Sequence, residues 1–327
     1  TLNILMKPFI EKGFLIYRNA PSSLVIACLH AGPSFESIVN RDENTDVAGG
    51  FLWKNIGGSL IVVSLPRSRM WGIDFNRGIP KADQALEIYN DYFNNPDINS
   101  KLNEFRKKYA WAAANEEDYA TRLGCYQKFW EEVCLGNEII LLHRQHSCLK
   151  NVPSMIDFTS FGSIKNQEIS KATRFINKKY SVFLDKTQYD YRRMIAFESK
   201  RRILQLMKLF GNVNPKIIGP SYREALEKDL AVAYKYADKI AINNIRRSFN
   251  ENTLFQLIEN ALHHIPVPRI THEFIFRGEL SHGPLNKLFP FNGKKILQVE
   301  CSSFLLYWHP VVAADMITDL YNLLMKP

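Results

Sequence analysis

Leu24-Val25-Ile26-Ala27-Cys28-Leu29-His30-Ala31-Gly32-Pro33 is the stretch on which the fold turns. An apolar, partly β-branched run of six residues reads as a buried strand. It stops at an imidazole, and the Gly-Pro pair behind it breaks the structure. A side chain able to take a metal or a proton is thereby placed at the carboxyl end of a core strand. Open α/β sheets build their sites on that rim.

Reading outward, Ser59-Leu60-Ile61-Val62-Val63-Ser64 follows the Gly57-Gly58 break as a second core strand. Glu138-Ile139-Ile140-Leu141-Leu142 follows the helix-stop pair Gly136-Asn137 as a third. Strand character returns at Glu273-Phe274-Ile275-Phe276 and at Lys295-Ile296-Leu297-Gln298-Val299-Glu300. Between them the pattern is helical, over about 81–133 and about 166–265. Ser221-Tyr222-Arg223-Glu224 reads as a capping box opening a helix to about Asn243, and an amphipathic helix follows Pro310. Strands alternating with helices predict an α/β protein. The expected form is a three-layer α/β/α domain over residues 1–327, with a mixed, largely parallel, hydrolase-like sheet and helical insertions at about 81–133 and 166–265.

The composition is that of a chain with a sizeable core: 327 residues, 46% hydrophobic and 23% charged. No apolar run approaches the roughly 18 residues that span a bilayer. The opening residues Thr1 to Pro8 lack the basic region and small-residue cleavage site of a signal peptide. The five cysteines (Cys28, Cys125, Cys134, Cys148, Cys301) are scattered, with no CxxC pair. That speaks against a disulfide framework or a cysteine zinc site, and the expected compartment is the cytoplasm. The net charge of +9 concentrates in Lys178-Lys179, Arg192-Arg193, Lys200-Arg201-Arg202 and Arg246-Arg247. These lie in helical segments, so a solvated helix face is the first reading. Polyanion binding is the second, and no nucleic-acid motif accompanies it.

Three strand ends carry residues that chemistry can use: His30, His146 just past the third strand, and Glu300. In a parallel sheet such ends share one rim. Two imidazoles and a carboxylate suit a zinc ion that keeps a position open, and a further carboxylate can act as base. Asp46, in the loop Glu43-Asn44-Thr45-Asp46, is placed to fold back and complete the ligand set; His143 is a rival to His146. Residues three apart on an extended chain face opposite ways, so one of the two histidines serves, not both. Behind the second strand, Pro66 to Gly78 holds Arg67, Arg69 and Arg77 with Asp74 and Asn76. Guanidinium forks pair with carboxylates, so this cluster reads as a grip for an acidic substrate.

In this order the elements resemble the N-formylglutamate amidohydrolases, relatives of the zinc carboxypeptidases and aspartoacylases. Leu29-His30-Ala31-Gly32 is similar to that family's strand-ending Pro-His-x-Gly, and Asn44-Thr45-Asp46 to its Asp-Thr-Asp. Ser68-Arg69 with Asp74-Phe75-Asn76-Arg77 resembles its Ser-Arg-x-x-x-Asp-Leu-Asn-Arg. Tyr126 followed by Arg144-Gln145-His146-Ser147 resembles its tyrosine helix and Asp-Ala-His-Ser strand end. Asp157 to Gly162 is similar to its Asp-x-x-Leu-Gly turn, and Gln298-Val299-Glu300 to its Gln-Leu-Glu. The chain departs from the pattern in three places. Arg69 to Asp74 is one residue longer, Arg144 stands where the family has Asp, and Arg277 to His282 echoes the Gly-Gly-x-Ile-Thr-Arg segment without its arginine.

The resemblance implies one Zn2+ per chain held by His30, Asp46 and His146, with Glu300 as general acid/base and Arg69, Asn76 and Arg77 on the substrate. It implies hydrolysis of an N-acyl amide in a small acidic N-acyl amino acid or peptide, with no membrane partner. The alternatives are a metal-dependent peptidase or deacylase with another substrate, and a non-catalytic polyanion- or nucleic-acid-binding protein on the same fold.

Overall fold

The computed structural model describes residues 9–19, 23–33, 41–95, 98–161, 164–212, 220–248, 250–275 and 293–326. The chain divides into two compact units. The first comprises residues 1–145, 156–176 and 271–327; the second comprises 146–155 and 177–270, most of the stretch expected as the later helical insertion.

The first unit is built on a sheet. Its strands are β1 (Phe9–Glu11), β2 (Phe14–Arg18), β3 (Leu24–Cys28), β4 (Ser59–Val63), β5 (Glu138–Arg144), β6 (Ser154–Phe161), β7 (Arg269–His272) and β8 (Lys295–Cys301). They lie in the order β1-β2-β4-β3-β5-β8-β6-β7. The centre, β4-β3-β5-β8, is parallel, and β2 on β4 and β6 on β8 run antiparallel. All five residues of β3 are buried, as a strand covered on both faces requires. The α/β class with a mixed sheet is the architecture the strand and helix pattern calls for.

Alternation along the strands feeds two cores. Val25, Ala27, Ile61, Val63, Ile139, Leu141 and Ile296 point one way, onto Tyr126, Phe129, Trp130 and Val133 of α4 (Glu116–Val133). On the other face α1 (Thr45–Ile56) lies against β3, β4 and β5 and packs with α11 (Pro310–Leu324), which follows α10 (Ser303–Trp308). Helices α2 (Ala82–Asn94) and α3 (Asn99–Lys108) form a smaller apolar cluster of their own with Met70 and Ala112. Helix α5 (Asn166–Lys179) belongs to this unit up to Ile176.

Several local expectations are corrected. Thr45 and Asp46, read as loop, open helix α1. Its centre is Gly49-Gly50, a poor helix-forming pair, but a Cβ at Gly49 would stand 2.7 Å from Cys28 Sγ. The missing side chain is what lets the helix seat on the sheet. Asp157 to Phe161 is strand rather than turn: Asp157 accepts from Thr271 Oγ1 (2.7 Å), Phe274 N (3.1 Å) and Ile275 N (2.7 Å). The strand expected at 273–276 lies earlier, at Arg269–His272, and the chain turns at Glu273, whose φ is +52°. Gly162, Phe276 and the Arg277–His282 segment lie outside the described residues.

The second unit is helical: α6 (Ser181–Asn212), α7 (Pro220–Tyr236), α8 (Lys239–Arg247) and α9 (Glu251–His264). The helix expected to run to Asn243 ends at Tyr236. Asp238 then caps a new one, its carboxylate accepting from Ala241 N at 2.8 Å. The Ser221 and Glu224 side chains lie outside the described residues. Leu184, Tyr191, Ile195, Leu254, Leu257 and Ile258 are fully or almost fully buried in this unit. No described helix is long and apolar enough to cross a membrane.

Candidate metal centre

The rim formed by the carboxyl ends of β3, β4, β5 and β8 gathers the functional side chains. His30 follows β3 by two residues, and both ring nitrogens face carboxylates. Nδ1 is 3.2 Å from Asp42 Oδ2, and Nε2 is 3.0 Å from Asp74 Oδ1. His143, in β5, brings its Nδ1 to 3.1 Å from the same Asp42 oxygen. The two rings sit 5.1 Å apart, centroid to centroid, and His30, Asp42 and His143 are all buried. Their ligand atoms lie within 4.8 Å of one another, close enough to share a metal ion.

The chemistry of this donor set fits a cation. Two imidazole nitrogens converge on one carboxylate oxygen. If the Nε2–H of His30 donates to Asp74 and the ring is neutral, the Nδ1 lone pair is left facing Asp42, acceptor against acceptor. A divalent ion between them removes that conflict. The Asp74–His30 pair is then the outer carboxylate that sets the tautomer and orientation of a metal-ligating histidine. The other ring nitrogen of His143, Nε2, is buried without a hydrogen-bond partner.

Register explains why His143 takes this place. It pairs with Glu300 across the parallel β5–β8 ladder. Odd-numbered residues of β5 and even-numbered residues of β8 share a sheet face, so the two side chains stand side by side. His146 comes two residues beyond the strand end, is exposed, and begins the second unit. Asp42 is held against the end of β3: its N–H donates to His30 O (2.9 Å) and its carbonyl accepts from Thr45 Oγ1 (2.7 Å). Asp46 falls within the first turn of α1, where a carboxylate complements the helix N-terminus; its Oδ1 is buried without a hydrogen bond. Of the three ligands expected from sequence, the cluster therefore holds His30, with Asp42 and His143 beside it.

Glu300 is buried, and Gln298 Nε2 donates to its Oε1 at 3.1 Å. Burial pushes its carboxyl above the ordinary carboxylate range, and the nearby Asp42 charge adds to this while His143 opposes it. Burial works against the charge of His143 too, but Glu300 and the Asp42 bond outweigh it and hold its pKa up. Asp42 is the reverse of Glu300. Burial disfavours its ionisation, yet the bonds to His143 and His30 and the charges of His30 and Arg67 hold it well below the usual range. The environments thus drive the two carboxylates of one site apart, Asp42 towards its ionised form and Glu300 towards its neutral one.

Asp74 is the hub of the arginine loop. It is wholly buried, with Arg67 Nε at 3.1 Å, Arg69 Nη2 at 2.8 Å and Arg77 Nε at 3.8 Å from its Oδ2. Burial opposes its charge, and Arg67, Arg69 and His30 overcome that. Arg69 is engaged inwardly, donating to Arg106 O (2.6 Å), Tyr109 O (3.3 Å) and Arg67 O (3.4 Å). Its burial lowers its pKa to about 10. Asn76 contributes its backbone N–H to Asp74 Oδ1. Arg67 and Arg77 keep 20% and 24% of their side chains exposed, and Arg67 also reaches Asp42 Oδ1 at 3.9 Å. They are the partly exposed guanidinium groups of the loop.

Helix α4 pins this loop from behind. Tyr126 Oη donates to Arg77 O (2.7 Å), Trp130 Nε1 to Phe75 O (3.1 Å), and Arg122 to Gly72 O (2.7 Å) and Met70 O (3.0 Å). Compared with known proteins, the chain matches no family model, no curated protein and no solved structure.

Proposed function

We propose that the chain is a metal-dependent amidohydrolase acting on the amide of a small acidic N-acyl amino acid or peptide. The observation that carries this reading is the buried His30–Asp42–His143 cluster with Glu300 in register beside His143. His30, Asp42 and His143 would hold one divalent ion, zinc by preference for this donor set. Such an ion supplies Lewis-acid polarisation of a carbonyl and activation of water.

The remaining work belongs to the chain's own side chains. Glu300, its pKa raised towards the working range, takes a proton from the attacking water and returns it to the leaving nitrogen. Asp74 keeps the Nε2 proton of His30, so that Nδ1 stays turned towards Asp42. Arg67 and Arg77 bind the substrate carboxylate as planar forks. The inward engagement of Arg69 moves that role to Arg67, relative to the sequence-based expectation.

The test is elemental analysis of purified protein, together with hydrolysis of a panel of N-acyl amino acids. About one zinc per chain is expected. His30→Ala, Asp42→Ala and His143→Ala each abolish metal retention and hydrolysis, whereas His146→Ala retains the metal. Glu300→Gln keeps the metal and loses roughly 10²–10⁴ in rate. A folded wild-type protein that takes up no divalent ion would sink the proposal. Hydrolysis confined to N-acyl substrates without an acidic side chain would reassign the enzyme to the deacylases.

A further inference from the structure

The net charge of the molecule belongs to one unit. The first unit has 24 Lys and Arg against 24 Asp and Glu; the second has 18 against nine, which accounts for the whole +9. Such asymmetry marks the part of a chain that meets a polyanion.

Within the second unit, α6 and α9 line a groove of about 660 Å³. On its α6 wall a single row at four-residue spacing reads Tyr189, Arg193, Phe197, an aromatic on either side of a cation; Arg201, next in the row, lies outside the groove and pairs with Glu198 at 2.8 Å. Tyr189 and Phe197 are 61% and 63% exposed and stand roughly 12 Å apart along the helix. The Arg193 guanidinium lies over the Tyr189 ring, 5.8 Å from its centroid. The acidic groups of the groove are already matched: Asp185 pairs with Arg269 at 3.2 Å and Glu259 with Lys200. Arg193 has no carboxylate within ion-pair distance among the described residues, so the groove keeps an uncompensated positive charge.

We infer that this groove binds single-stranded nucleic acid, with bases stacking on Tyr189 and Phe197 and phosphates meeting Arg193 and its neighbours. A single strand exposes the base faces that such aromatics need, whereas a duplex hides them. An anionic membrane fits less well. A helix lying in a membrane gives its apolar face to lipid, and the apolar face of α6, with Leu184, Tyr191 and Ile195, is already buried in the unit.

The experiment uses the full chain and fluorescence anisotropy with labelled DNA and RNA single strands of about 20 nucleotides. A duplex of the same length and phosphatidylcholine–phosphatidylserine vesicles serve as comparators. The single strands bind with Kd of about 10⁻⁶ M or tighter at about 50 mM salt, and affinity falls steeply towards about 200 mM. Phe197→Ala and Arg193→Glu each weaken binding roughly tenfold or more without changing thermal unfolding, while Arg193→Lys retains most of it. No single-strand binding at low salt overturns the inference. So does binding indifferent to Phe197→Ala, which would reduce the groove to a general cationic surface, and so does tighter binding to duplex or vesicles. Retention of zinc and hydrolysis in the same variants keeps this test separate from the site on the sheet.

Discussion

Asp74 receives a histidine on one oxygen and guanidinium groups on the other, so its charge is matched many times over. Asp74→Asn leaves those cations facing a neutral amide in a buried place and is expected to cost about 3–5 kcal/mol in urea unfolding. The pH dependence follows from the same contacts. Asp42 and Asp74 have folded-state pKa values well below their ordinary 3.8. Their contribution is fully present above that value and is lost as pH falls through the depressed one, so acid unfolding should blunt in Asp74→Asn. Glu300 has the opposite sign. Its pKa is raised above 4.5, so its contribution is complete below pH 4.5 and disappears as pH rises through the raised value. Glu300→Gln should therefore melt a few degrees higher than wild type at pH 8 and match it near pH 4. His30 and Glu300 were legible because each ends an apolar run. Asp42 was not. Its place comes from a backbone bond to His30 beyond the strand end, which leaves no periodicity behind, and Arg67 was legible only as one of a cluster of three arginines. His143 could have been found by extending the third strand two residues and matching its register with Glu300.

Elements were legible where burial is two-sided or a cap is explicit. β3, β4 and β5 hold continuous apolar runs, β8 one broken only by Gln298, and Pro310 at the start of α11 marks that helix plainly. Helix α1 was hidden because its centre violates helix propensity for the sake of packing. That conflict gives a paired prediction. At Gly50 a Cβ meets nothing within 4 Å, so Gly50→Ala should stabilise by about 0.5–1 kcal/mol through propensity alone. At Gly49 the same change forces Cys28 aside, and Gly49→Ala should lose about 1–3 kcal/mol before that gain is counted. Chemical denaturation of the two single variants decides it. Opposite signs at adjacent positions are the expected outcome. The β1–β2 hairpin and β6 are further elements that the reading of apolar runs passed over, since β2 alternates and β6 carries Asp157, Thr159 and Ser160.

On the scale of the whole molecule, the α/β class could be read from the alternation of strands and helices. The division of charge between the two units needed the structure, because the first unit is discontinuous in sequence. That discontinuity reaches beyond architecture. β8 sits between β5 and β6 in the sheet, yet it is made more than 130 residues after either of them. Until the ribosome has passed Cys301, the Ile139–Leu142 run of β5 has an open edge where β8 belongs, and open apolar edges invite pairing with other chains. A chain stopped before Lys295 should therefore accumulate as aggregates, visible by sedimentation, while the chain that includes β8 stays in the supernatant. During synthesis the rim that gathers His30, Asp42 and His143 waits on β8 for its last carboxylate, so a chain halted before Lys295 carries the three clustered side chains without Glu300 beside them.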